Sequence, residues 1–228
     1  MFRRRYLRLL AFLAILFYSS LQALFAQRLD IQEWPKGRIV LVSGDTLYGP
    51  ITYHRSEDII RITLEDGSIG AYAPVNVISF TVTDDNNRYT QTFKPFLWNR
   101  GNDYSDYKAP AFFELVNEGQ YTLVKREMVT TQNTINNYPM YAGYGRYYDP
   151  YGYSNYGPRY QTIIIDLLYL YTPEKKIKAL RNPKRDLEDL FNDQNKEKEM
   201  KEFVKNNNLS YNNTRDLALI VRHYNSLL

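Results

Sequence analysis

Apolar residues recur at every second position through most of this chain and at every third or fourth position after Asn182, and that change of period limits the fold more than any other feature. Residues 38–42 and 46–53 read as two strands joined by Ser43-Gly44-Asp45, a hairpin signal because glycine accepts positive φ at no steric cost. Ile60, Ile62 and Leu64 then alternate with Arg61, Thr63 and Glu65, and Asp66-Gly67 turns the chain into residues 69–72. Ile78, Phe80 and Val82 alternate with Ser79, Thr81 and Thr83 before a turn at residues 84–87, and Tyr89 and Phe93 return. Successive hairpins of this kind predict an antiparallel meander, expected to end at Pro95. Residues 112–116 and 121–129 form a further hairpin around Asn117-Glu118-Gly119, residues 162–171 are the most apolar strand, and residues 176–180 suit an edge. Beyond Asn182 the period becomes helical. Asn182 reads as an N-cap with Pro183 in the first turn, and Asn213 caps a last helix whose stripe is Leu217, Ile220, Val221, Tyr224 and Leu228. The predicted class is α+β: an antiparallel β meander or small barrel-like sheets followed by a short C-terminal helical segment.

The N-terminus predicts export. Arg3, Arg4, Arg5 and Arg8 precede an uninterrupted apolar run over residues 9–17, the order of a secretory signal, and Leu24-Phe25-Ala26 offers a cleavage point that leaves Gln27 first. Ala23 is the second candidate. The alternative is an uncleaved inner-membrane anchor, since residues 7–26 approach the roughly 20 helical residues that span a bilayer; Ser19, Ser20 and Gln22 interrupt that span. The four signal arginines account for the whole net charge of +4, leaving 25 basic against 25 acidic residues. A neutral exported chain has no field that gathers nucleic acid. With no cysteine there is no disulfide, no thiolate chemistry and no lipid-modified cysteine, so a lipid anchor is excluded and packing alone holds the core.

Residues that carry chemistry are few. The two histidines, His54 and His223, lack a patterned partner, and no phosphate-binding, nucleophile-elbow or metal-ligand spacing occurs. Asp84-Asp85 lies among asparagines and reads as a turn. Asp166 is the one acid inside the apolar strand over residues 162–171, where it faces a partner, water or the wet side of a sheet. The charged run over residues 196–205 has Glu197 and Lys201 at i, i+4 spacing and reads as a solvated helix face. No catalytic residue, metal or cofactor is therefore expected. The local anomaly is residues 138–160, with nine tyrosines, four glycines and three prolines, a composition that opposes regular pairing. Tyr141, Tyr144, Tyr147, Tyr148, Tyr151, Tyr153 and Tyr156 are the candidate binding residues, because tyrosine combines an apolar face with a hydroxyl at low entropic cost.

The hairpin Gly37 to Gly49, the β repeats after it and the ending Arg222-His223-Tyr224-Asn225-Ser226-Leu227 resemble exported proteins of Bacteroidota bacteria. That resemblance implies a Gram-negative envelope location, periplasmic or at the cell surface, and transfers no residue role. The Gly44-Asp45-Thr46-Leu47-Tyr48-Gly49 turn is similar to the opening of small SH3-like or LSm-like barrels, and Asp45-Thr46-Leu47 is similar to an O-glycosylation acceptor of such bacteria. The expected organisation is a signal over residues 1–26, a β domain over 27–98, a second β region over 99–181 containing the tyrosine-rich loop, and a helical segment over 182–228. The expected function is that of a non-catalytic interaction protein whose partner is an envelope protein or a glycan; the alternative is a secreted hydrolase that uses carboxylates.

Overall fold

Where the sequence alternates, the chain pairs. A computed structural model describes residues 29–84, 90–102, 104, 106–133, 160–193 and 196–228, and in them ten strands form one curled antiparallel sheet. The strands are β1 (Ile31–Leu41), β2 (Thr46–His54), β3 (Ile59–Thr63), β4 (Ile69–Tyr72), β5 (Val77–Thr83), β6 (Thr90–Trp98), β7 (Ala109–Asn117), β8 (Thr122–Asn133), β9 (Tyr160–Tyr171) and β10 (Ile177–Ala179). Their order is β10-β9-β8-β7-β6-β5-β1-β2-β3-β4. The fold is α+β, with the β-rich meander and helical tail that the two periods predict. A 3-10 turn at Pro74–Asn76 brings the chain from β4 back to β5, which pairs with the far side of β1. Gly49 permits the close approach of β3 to β2: at φ 155° a Cβ there would lie 2.0 Å from the carbonyl oxygen of Thr63.

Two strand details depart from simple alternation. Val77, rather than Ile78, enters the core, because the pairing of β1 with β5 shifts register between Val40 and Leu41 and turns Ile78 outward. Pro95 does not end the meander; β6 continues to Trp98. The ladder with β5 stops at Phe93, and Phe112, opposite Pro95, directs its backbone groups away from β6. The missing N–H of Pro95 therefore costs the sheet no bond.

Consecutive residues of a strand face opposite sides, so Phe112 and Phe113 are both fully buried, in different cores. Phe112 joins Trp34, Ile39, Tyr53, Phe80 and Phe93 inside the curl, where Phe80 stacks on Phe93 at 4.5 Å. Phe113 packs on the other face with Ala111, Val124 and Tyr169. A third core lies under the helices α1 (Pro183–Asp193), α2 (Glu197–Asn206) and α3 (Thr214–Ser226), whose Leu187, Phe191, Met200, Leu217 and Ile220 cover Leu123 and Leu170.

Both asparagine caps form. Asn182 Oδ1 accepts from Arg185 N while Asp186 returns to Asn182 N, and Asn213 Oδ1 accepts from the backbone of Arg215 and Asp216. Asn225, at the end of α3, accepts from Tyr121 N and donates to Tyr121 O, fastening the helices to the start of β8. No helix among the described residues is long and apolar enough to cross a membrane.

Candidate functional site

β7 and β8 pair only between Glu114–Asn117 and Leu123–Lys125, after which the two strands diverge. Sheet backbone left open inside a protein needs other partners. The turn between β2 and β3 supplies them. Asp58, at φ 58°, places its carboxylate 3.3 Å from Phe112 N, and Arg126 on β8 donates to Phe112 O at 2.8 Å and to Asp58 at 3.0 Å. An aspartate and an arginine thus replace the missing stretch of ladder. Tyr53 donates to the same carboxylate at 2.7 Å, and the Arg126 guanidinium lies 5.1 Å from the centre of the Trp98 ring, within cation–π range.

A second set of charges lies alongside. Arg55 donates to Glu127 at 2.8 Å, to Leu29 O and to Gln32, and Lys125 bonds Glu114 at 2.8 Å with Asp166 at 3.8 Å. Asp166 stands opposite Glu127 in the β8–β9 register, so two carboxylates share one neighbourhood with Lys125 between them. Beside this charged wedge, formed by Asp58 and Arg126 with Arg55 next to them, opens a cleft of about 240 Å³ walled by Trp98, Ala111, Met128 and Leu167, with Arg100 and Asp30 among its polar residues. Asp30 is held by Ser56, through its N–H at 2.9 Å and its hydroxyl at 2.6 Å. Arg100 is exposed and makes no ion pair among the described residues. Among the described residues the cleft therefore offers an aromatic ring and one cation without an ion pair, while its acids are already bonded. Among the described residues no group of three or more histidines and acids gathers to hold a metal.

The network is expected to weaken in alkali. Burial first, then the Asp58 carboxylate, holds the Tyr53 phenol well above its ordinary value. Burial pulls Lys125 down, but its hydrogen bond to Glu114 and the charges of Glu114, Asp166 and Glu127 outweigh that and raise it. A group whose folded pKa is raised contributes stability that is complete below its unfolded pKa and lost as pH rises toward the folded value. The expected stability curve therefore falls above pH 10.0, the ordinary value of the phenol. Tyr53→Phe should lower stability at neutral pH by about 1–3 kcal/mol, by removing a donor from a buried carboxylate, and should flatten the alkaline fall. Urea midpoints measured against pH for both proteins test this; parallel curves would show that Tyr53 does not contribute.

Among the described residues, those singled out in the sequence sit on separate elements. Tyr141, Tyr144, Tyr147, Tyr148, Tyr151, Tyr153 and Tyr156 lie outside the described residues, as do the expected signal over residues 1–26 and Asp85. His54 ends β2, and His223 stacks on Phe203 with ring centres 3.7 Å apart. Glu197 and Lys201 form the i, i+4 ion pair on an exposed face. Asp166 is half-exposed beside Lys125. Sequence reasoning missed Asp58, Arg55, Arg126 and Trp98. One signal was present: Lys125-Arg126-Glu127 puts charge on both faces of a strand, which a strand inside a continuous dry ladder does not tolerate. No known protein family, curated protein or solved structure matches the chain.

Proposed function

We propose that the chain is an exported, non-catalytic binding protein of a Gram-negative cell envelope, periplasmic or at the cell surface, with an envelope protein or a glycan as partner. In this reading the tyrosines between Asn133 and Tyr160 make the contact. The supporting observation is the β8–β9 ladder, in which all twelve residues of β8 are in register with β9 while β7 leaves β8 after Lys125 and β10 reaches only Tyr169–Tyr171. The rest is a two-stranded ribbon that brings the ends of the tyrosine-rich segment together at Asn133 and Tyr160. A two-stranded ribbon contributes little stability by itself, so presenting that segment is its natural use. The hydrolase alternative draws on the Asp166–Glu127 neighbours, but Lys125 and Arg55 already bind those acids.

Co-purification from the native envelope tests the proposal, using the chain with and without residues 138–160 replaced by a short glycine-containing turn. Loop-closure entropy changes by only about 0.6 kcal/mol per doubling of length, so the shortened chain should keep its melting temperature and lose its partner. Retention of every partner would refute the contact role. Glycan or peptide hydrolysis that disappears in Asp166→Asn would favour the enzyme.

A further inference from the structure

We propose that the free edge of β9 between Gln161 and Leu167 is an interface for a second copy of this chain, joined by antiparallel strand pairing about a twofold axis at Ile164. β10 covers β9 only at Tyr169–Tyr171, and the bond from Leu180 N to Leu168 O ends that ladder. Alternate residues of an antiparallel strand direct their backbone groups to opposite sides, so Asp166, Ile164 and Thr162 point theirs the same way as Leu168. No strand lies there among the described residues.

Folded proteins shield such edges with charge, proline, bulges or very short strands. The two outermost strands of this sheet comply: β4 has four residues, and β10 has three and carries Lys178. The free stretch of β9 does not comply. Gln161, Thr162, Ile163, Ile164 and Ile165 carry no charge and no proline, the ladder with β8 is unbroken there, and Ile164 is 39% exposed. The opposite edge of the ribbon, on β8, faces the cleft and carries Glu127, which Arg55 holds.

The segment is its own complement. With the axis at Ile164, Thr162 meets the partner subunit's Asp166, so each carboxylate receives a hydroxyl donor. Ile163 meets the partner subunit's Ile165, and Ile164 meets its own copy, giving apolar cross-strand contacts on both faces. The three outward-facing positions exchange about six backbone hydrogen bonds. An axis moved to Asp166 would oppose two carboxylates. The bond between Leu180 and Leu168 stops the incoming strand at Leu167, which centres the usable edge on Ile164.

Sedimentation of the purified full chain at about 100 µM, where a weak self-association is still populated, should give twice the chain mass. Ile164→Pro should weaken dimerisation at least about tenfold, because the lost N–H faces the partner and not β8. A chain without cysteine permits a second test: Ile164→Cys should oxidise to a covalent dimer, since residues opposed in a hydrogen-bonded pair have Cα atoms about 5.5 Å apart, within disulfide range. Thr131→Cys, on the opposite edge of the ribbon, should not. A monomeric wild type, a dimer unaffected by Ile164→Pro, or equal cross-linking at Thr131 overturns the proposal. Should the proline variant fail to fold, the cysteine pair decides.

Discussion

Replacing Arg126 by alanine is expected to destabilise the protein by about 3–5 kcal/mol, because it strands the buried Asp58 carboxylate and also frees the carbonyl of Phe112. For a domain of this size that corresponds to a fall in melting temperature of about 6–20 °C. The size of the effect reflects the absence of a replacement: the β8 backbone has already left β7 at that point, so no ladder bond can re-form. Arg126→Met combined with Asp58→Asn should recover part of the loss, since the charge is removed with its partner and asparagine tolerates the positive φ at position 58. Urea denaturation of the single and double variants provides the cycle. A loss below about 1 kcal/mol for Arg126→Ala would mean that the pair behaves like an exposed one and that the wedge is ornamental.

Phe191→Ala should cost a similar amount, about 3–5 kcal/mol, for a different reason. Phe191 is fully buried, with its ring 4.9 Å from that of Tyr224, among Leu187, Met200, Leu217 and Ile220. The three helices have 11, 10 and 13 residues, too short to persist without the core they share. A cavity there weakens their hold on Leu123 and Leu170 and on the Asn225–Tyr121 clamp. β8 and β9 run from beneath the helices to the charged wedge, so the damage should not stay local. Helical circular dichroism and tryptophan fluorescence, which reports Trp34 inside the curl and Trp98 beside Arg126, should show the same lowered midpoint. Loss of the helical signal well before the tryptophan signal would show that the helices melt as a separate unit.

Much of the framework was legible because it depends on local chemistry. Asn182 and Asn213 can satisfy helix N–H groups wherever the helix packs, and the turn glycines act within four residues of chain. The buried member of Val77-Ile78 was not legible, because a bulge of β5 at Ile78, against β1, decides it. Nor was the continuation through Pro95, which depends on where β5 stops pairing. The wedge was the least legible feature. Arg55 and Asp58 occur in a polar turn, where charges are ordinarily solvated, and Arg126 lies 68 residues beyond Asp58. Only the divergence of β7 from β8 makes an internal site of them. Of the candidate contact residues, the sequence supplied the tyrosines and the structure supplied the ribbon whose ends bracket them.

The strand order also implies a sequence of folding events. All neighbouring strands but one pair, β1 with β5, are consecutive in the chain, so most of the sheet can grow by hairpins that close quickly. β1 is completed on its second side only after β5 exists, and the Asp58 and Arg55 side chains wait for partners 68 and 72 residues further on. While the chain emerges from its N-terminus, the curl from β1 to β5 therefore forms around an aspartate that has only Tyr53 to bond. The arrival of β8 closes that gap, and the Arg126–Asp58 ion pair then ties the first half of the sheet to the second.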